Sequence, residues 1–430
     1  MKQNLFFRYL GSLICLSFLI LACNNTPEAV LIPTEKTHFN SFVDCNMAEF
    51  WIGDTFRIFP GKYGEDPVWG ESHDLKWADG HNVDAAFSSP ASAFTEPIMP
   101  PNTKPGTPGL HGAVWFETIY QDKKDASGKT LYGIYHNENY PATLPYDSLT
   151  GKGYQNKNWP EGLRGPATAT AVCRIGVMKS VDGGRSWENR GIFIEDNQPR
   201  LILKPHNNGI NFAGGVGDPS AVASGDWLYL FYGEYGYAGK YDSASYNPDL
   251  EHSGQCISIA RIKLSDLDAP EGKAQRWDGK GFNAAYDGIG SPIASIQIPK
   301  SAGGGPASNP KSKYYWGPSV SWNTHLKSWV MLMARSEGTS WKGSGIYISF
   351  NKNEDLGQGK NSQEWATPKL LLDMPGHIIW YPSLQPLNEK GDEQNKYTCL
   401  KLGEKARLFF KDQYKDSSEY YSSYIVQFKK

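Results

Sequence analysis

Three segments of the chain share one spelling: "GVGDPSAV" at 215–222, "YWGPSVSW" at 315–322 and "IWYPSLQP" at 379–386. Each Pro-Ser pair leads into a weakly apolar strand, then a turn, then a strongly apolar strand: "DWLYLFYGEY", "SWVMLMARSE" and "KARLFFKDQY". The first two continue into a third strand, "GQCISIARIKL" and "SGIYISFNKN". A repeating unit of this size, built from four short strands, is a β-propeller blade. The longer spacing between the first two copies accommodates an insertion around "SAGGGPASNPKSK" (301–313). Two more units follow from the same pattern. One runs from "HGAVWFETIY" (111–120) to "GIFIE", and the other surrounds "FRIFPG" and "NVDAAFSS". The count is five blades, with six as the alternative, and "SYIVQF" closes the ring against the N-terminal part.

The remainder of the chain agrees with an all-β fold. Short β-branched or aromatic runs are bounded by Gly, Asp, Asn or Ser, and no helix-period segment exceeds two turns. Aromatic residues make up 13% of the chain and there are 45 Gly. That composition suits short strands with many turns, and it also suits stacking on sugar rings. A formal net charge of −2 lacks the basic excess of a nucleic-acid binder.

A proline at a strand's first residue sacrifices no ladder hydrogen bond. The Pro-Ser pairs are therefore expected at the entry of each inner strand, with Asp218, Gly317 and Tyr381 at the channel mouth. Each second strand returns to the same end. The ends of these strands bring His136, Asn137 and Glu138, then Glu234, Arg335 with Glu337, and Lys411 with Asp412 towards one pocket.

The N-terminus carries Lys2 and Arg8, an apolar run from Leu10 to Ala22, and then Cys23. The run is too short to span a bilayer and reads as a secretory signal over residues 1–22. The end "ILAC" resembles a bacterial lipobox. That resemblance implies lipidation of Cys23 and residence in a bacterial cell envelope, anchored to a membrane; the polar stretch over 23–37 reads as a tether, ahead of a single β-propeller catalytic domain over 38–430. The remaining cysteines, Cys45, Cys173, Cys256 and Cys399, show no zinc spacing. They read as buried free thiols, although export permits disulfides.

"SVDGGRSW" (180–187) resembles the Asp-box of sialidases and related propellers, with Ser180, Asp182, Gly184, Ser186 and Trp187 in the matching places. The box is a structural hairpin motif and implies a propeller rather than an activity. "FRIFP" (56–60) is similar to the sialidase F-R-I-P motif, which implies a carboxylate-gripping role for Arg57; here Phe59 interrupts the motif. The Asp218-Pro219 pair looks like five-bladed glycosidases that ring a pocket with acids. Together these features resemble a propeller lipoprotein of bacterial polysaccharide utilisation, acting as a monomer on an oligosaccharide.

Chemistry is expected from two clusters. Asp218, Glu234, Glu138 and Asp84 offer paired carboxylates, which glycoside hydrolysis needs as acid and as base or nucleophile. "YHNENY" (135–140) offers His136 and Tyr140 as bases for abstracting a proton from a uronate. Asn137 and Arg335 would neutralise the sugar carboxylate. His111, ahead of "GAVWF", and Tyr381 are further substrate contacts. The run His73, Asp74, Asp79, His81 and Asp84 matches no tight ligand spacing, so no cofactor is expected, with structural calcium in the channel left open. The mixture of His, Asn, Tyr and Arg favours elimination from an acidic, possibly algal, sugar chain. Exo-acting hydrolysis by paired carboxylates and non-catalytic glycan binding are the alternatives.

Overall fold

The computed structural model describes residues 27–66, 70–101, 110, 112–139, 146–147, 152–153, 171–195, 212–235, 256–305, 311–338, 341–387 and 396–430. These residues form an all-β structure of antiparallel meanders with only short helical turns. The first strands of successive meanders lie side by side. Ala48–Ile52 touches Ala113–Gln121, which touches Phe212–Ser224; that strand touches Lys313–Asn323, which touches Ile378–Pro386. Phe56, Ile58 and Phe87 from the start of the chain pack with Phe409 and Tyr420 from its end, which brings the two ends of the series together.

These central strands are buried on both faces, as the pattern of Ala113–Gln121 shows over eight consecutive residues. A strand covered on both sides reads as a continuous apolar run rather than an alternation. That is why "AVWFETIY" and "WLYLFYG" carry so few charges. Two meanders fuse into one curled sheet: Ala171–Ser180 pairs in parallel with Phe212–Ser224 at Ala171↔Phe212 and Cys173↔Gly215. Gly215, at φ 96°, permits this approach, since a Cβ there would lie 2.1 Å from the Cys173 carbonyl oxygen.

The Pro-Ser pairs do not open their strands, contrary to the sequence expectation. Pro219, Pro318 and Pro382 sit mid-strand at register shifts between Gly217 and Ser220, Trp316 and Ser319, and Trp380 and Ser383. The preceding residues adopt left-handed backbone, at φ 47° for Asp218, 57° for Gly317 and 47° for Tyr381. Each is a β-bulge, where an extra residue leaves the ladder and a missing proline N–H costs nothing. The bulge re-aims the residue ahead of the proline. For Asp218 and Tyr381 this conformation costs roughly 1 kcal/mol or more each.

The expected tether is also corrected. Glu28–His38 is an edge strand paired antiparallel with Ser417–Lys429, from Glu28↔Lys429 to His38↔Tyr421. The pairing satisfies a backbone that a solvated tether would leave to water, and Ala29 and Leu31 pack on the adjoining core. Cys23 lies outside the described residues. Cys45, Cys173, Cys256 and Cys399 are buried thiols not joined in disulfides. Among the described residues no helix is long and apolar enough to cross a membrane.

Candidate active site

The bulge on the Phe212–Ser224 strand aims Asp218 at Tyr235, just past the end of its hairpin partner Trp227–Glu234, and at Tyr381 on the central strand Ile378–Pro386. Tyr235 donates its hydroxyl hydrogen bond to Asp218 Oδ2, and Tyr381 donates to Oδ1 at 3.3 Å. The Asp218 backbone N–H donates to His136 Nδ1 at 3.1 Å. That bond fixes the neutral tautomer with its proton on Nε2. Gly217 makes room for the imidazole, because a Cβ at 217 would lie 2.5 Å from His136 Cε1. Trp115 closes the other side of the ring at 5.4 Å.

Glu117 enters from Ala113–Gln121, where Phe116 and Thr118 flank another register shift. Thr118 and Ser220 play the same part in successive strands. Thr118 Oγ1 accepts from the Ala221 N–H at 3.1 Å, and Ser220 Oγ accepts from the Val320 N–H at 2.9 Å. Glu117 therefore occupies the bulge position that proline holds in the other strands. Its Oε2 accepts from the Asn46 N–H at 2.7 Å. Asn46 spans the centre: Nδ2 donates to the carbonyl oxygens of Pro219 and Pro318, each at 3.3 Å. Asp44 stands two residues before it, partly exposed and ion-paired with Lys411 Nζ at 2.6 Å. Lys411 is held between the Phe42 and Trp380 rings at 5.3 and 5.4 Å.

Burial sets the electrostatics. Asp218 is 7% exposed and Glu117 only 2%. Desolvation raises the Asp218 carboxyl to about 6; the Asp44 charge adds to this and the two tyrosine donors oppose it. Glu117 is pushed well above the usual carboxylate range by burial and by the Asp218 charge, with the Asn46 N–H opposing. Both carboxyls are pushed towards their protonated forms, the deeper Glu117 more strongly, so the pair holds a proton into the range where free carboxyls are ionised. Burial lowers His136 to about 4, so it is neutral at working pH. Tyr235 and Tyr381 are raised well above 10 by burial and by the Asp218 charge, which keeps them as donors.

Glu117, His136 and Asp218 each present a ligand atom within 4.8 Å of the others. The donor types suit a divalent cation. Several of these atoms are already engaged, namely His136 Nδ1, both Asp218 oxygens and Glu117 Oε2.

Of the residues expected from sequence, the fold brings Asp218, His136 and Tyr381 together. Tyr381 reaches Asp218 itself rather than standing apart as a substrate contact. Glu138 follows His136 at the end of the same strand and is half-buried. Glu234 is elsewhere. It is fully buried, ion-paired with Arg276, and accepts from the Gly290 N–H at 2.8 Å. Asn137 is locked between the Ala113 carbonyl and Arg174 at 3.0 and 2.7 Å. Arg335 faces Tyr347 at 3.1 Å and Glu337 at 3.9 Å. Its strand neighbours Ala334 and Ser336 take the opposite face, towards Trp316 and Trp341. Arg57 grips Asp79 and the Gly183 carbonyl, bracing the 180–187 turn. Asp84 pairs with Arg407. His111 and Tyr140 lie outside the described residues.

Sequence reasoning missed Glu117, Tyr235 and Asp44. Glu117 had one legible signal: a single acid inside an otherwise apolar run, just ahead of a Thr in the place of the repeated Ser.

No family model and no curated protein matches the sequence. Three solved structures illustrate its structural likenesses. An α-L-arabinofuranosidase from Lactobacillus brevis has 9% identity and a TM-score of 0.46, over 91% of this chain and 92% of that one. An exo-1,5-α-L-arabinanase from a bovine ruminal metagenomic library has 9% identity and a TM-score of 0.41, over 91% and 95%. The catalytic domain of a GH62 α-L-arabinofuranosidase from Coprinopsis cinerea has 8% identity and a TM-score of 0.41, over 92% and 97%. All three are glycoside hydrolases. The elimination expected from the sequence is corrected by the geometry of the site. Asn137 and Arg335 are engaged with other partners, His136 Nδ1 accepts a hydrogen bond from the Asp218 backbone N–H, and carboxyl groups converge there instead.

Proposed function

We propose that the chain is a glycoside hydrolase with a five-bladed propeller fold, and that Asp218 is its general acid. The observation that carries this reading is the convergence of Asp44, Glu117 and Asp218 from three neighbouring segments at graded depth. Hydrolysis of a glycosidic bond needs one carboxyl that still holds a proton near neutrality and one ionised carboxylate that can reach water or the sugar. Asp218, raised to about 6, fits the first role. Asp44, more exposed and paired with Lys411, fits the second as base or nucleophile. Glu117 lies too deep for either role and holds a proton beside Asp218, acting as a positioning residue. Trp380, partly exposed and beneath Lys411, offers an aromatic face beside the partner of Asp44.

The test uses aryl glycosides of arabinofuranose, galactose and xylose with good and poor leaving groups, together with the matching oligosaccharides. Asp218→Asn should lose on the order of 10²–10⁴-fold in kcat on poor leaving groups. It should lose far less on good ones, which depart without a proton. Asp44→Asn should lose activity on both. Equal losses across leaving groups for Asp218→Asn, or full activity in Asp44→Asn, would remove the assignment. No hydrolysis of any glycoside by the unaltered protein would remove the function.

We also propose that Cys23 carries a lipid that holds the protein in the cell envelope, on the strength of the "ILAC" sequence. Intact-mass measurement of protein from membranes tests this by the presence or absence of acyl mass on the peptide starting at Cys23.

A further inference from the structure

The central strands run on past the acids, and their far ends surround a second hollow. It has a volume of 540 Å³ and is lined by residues including Tyr120, Trp322, Lys123, Lys401 and, at its buried floor, Glu49. A neighbouring hollow of 430 Å³ shares Gln121, Lys123, Lys396 and Thr398 with it and extends to Trp51. The two make one groove from the end of the channel outward. Its size falls in the range of ligand sites.

The lining is specific in three ways. First, Trp322 is partly exposed, and its indole N–H meets no acceptor among the described residues. Its ring is braced by Trp329 at 5.0 Å, which is itself pinned by its N–H to the Asn353 and Glu354 carbonyls at 3.1 and 3.2 Å. A rigid aromatic face with a free donor at its edge is a stacking platform. Second, the charges balance. Lys123, Lys396 and Lys401 stand among Glu354, Asp122 and Asp125, so the groove selects no strong ionic charge. Third, Glu49 accepts from the Cys399 N–H, and burial holds it protonated, so the floor adds no anion.

We propose that this groove is a second carbohydrate-binding site, remote from the acids, that takes a segment of a neutral oligosaccharide. A sugar offers C–H faces to Trp322 and hydroxyls to the lysine and carboxylate heads along the rim. The choice of a glycan as ligand rests on the hydrolytic reading of the acid cluster.

The test is affinity electrophoresis of the full chain through gels carrying arabinan, galactan or xylan, beside aryl-glycoside hydrolysis in solution. The protein should be retarded in at least one gel. Trp322→Ala should weaken that retardation about tenfold and leave aryl-glycoside kcat/KM unchanged, while Glu117→Gln should keep the retardation. Lys123→Ala, at the exposed rim, should weaken it if Trp322→Ala does not fold. Retardation of both groove variants equal to the parent, or none for the parent in any gel, overturns the proposal. Retardation lost in Trp322→Ala, from a protein that hydrolyses nothing, would keep the groove and remove the hydrolytic reading instead.

Discussion

Removing the Tyr235 hydroxyl gives the most direct test of how Asp218 is tuned. Tyr235 donates to one Asp218 oxygen, while Tyr381 reaches the other at a long 3.3 Å. A hydrogen bond to an ionised group is worth about 1.5–3 kcal/mol, and 1.36 kcal/mol moves a pKa by one. Tyr235→Phe takes that support from the carboxylate and not from the carboxylic acid. The Asp218 pKa, about 6 in the parent, should therefore rise by about one to two. A general acid works only while protonated, so kcat/KM falls as pH rises through its pKa. The alkaline limb of the profile on a poor leaving group should shift to higher pH by that amount. Tyr381→Phe, with the longer bond, should shift it less. An unmoved limb in Tyr235→Phe, or one moved to lower pH, would refute the chain from hydrogen bond to pKa to catalysis.

Four further outcomes follow from the same structure. Gly217→Ala puts a methyl where His136 Cε1 stands; it should lower stability by about 1–3 kcal/mol and reduce kcat, read by denaturant unfolding and initial rates. Arg276→Met removes the ion-pair partner of the fully buried Glu234 and should cost about 3–5 kcal/mol in stability, read by denaturant unfolding. Glu49 is raised to about 8 by burial, so the native state binds more protons than the unfolded chain between the ordinary carboxylate pKa and 8. Stability should fall as pH rises through that window, and Glu49→Gln should flatten the slope in denaturant midpoints at pH 5, 7 and 9. Prolonged treatment with EDTA should leave hydrolysis unchanged, since the acid, base and positioning roles all fall to side chains; loss of rate with recovery on adding calcium would instead assign a cation to Glu117, His136 and Asp218.

The sequence alone determined the strands and the repeat, because both are local properties. Alternation, turn residues and aromatic content mark a β meander within a few residues. The Pro-Ser spelling recurs because three of the central strands carry the same bulge. Asp218 was legible for that reason: it stands where the bulge must aim a side chain. The sequence could not place the prolines mid-strand, because strand ends depend on which neighbour supplies the ladder. Nor could it separate Asp218 from Glu234, two acids 16 residues apart in the same hairpin. Their roles diverge through partners that only tertiary packing supplies. Arg276, 42 residues further on, neutralises Glu234 in the interior. Asp218 meets two tyrosines and the field of Asp44. Glu117 looked like one polar letter in a buried strand until Asn46, 71 residues earlier, was seen to hold it. Charge, burial and proton affinity at this site are properties of the assembled strands, since desolvation and Coulomb interactions depend on distance in space and not along the chain.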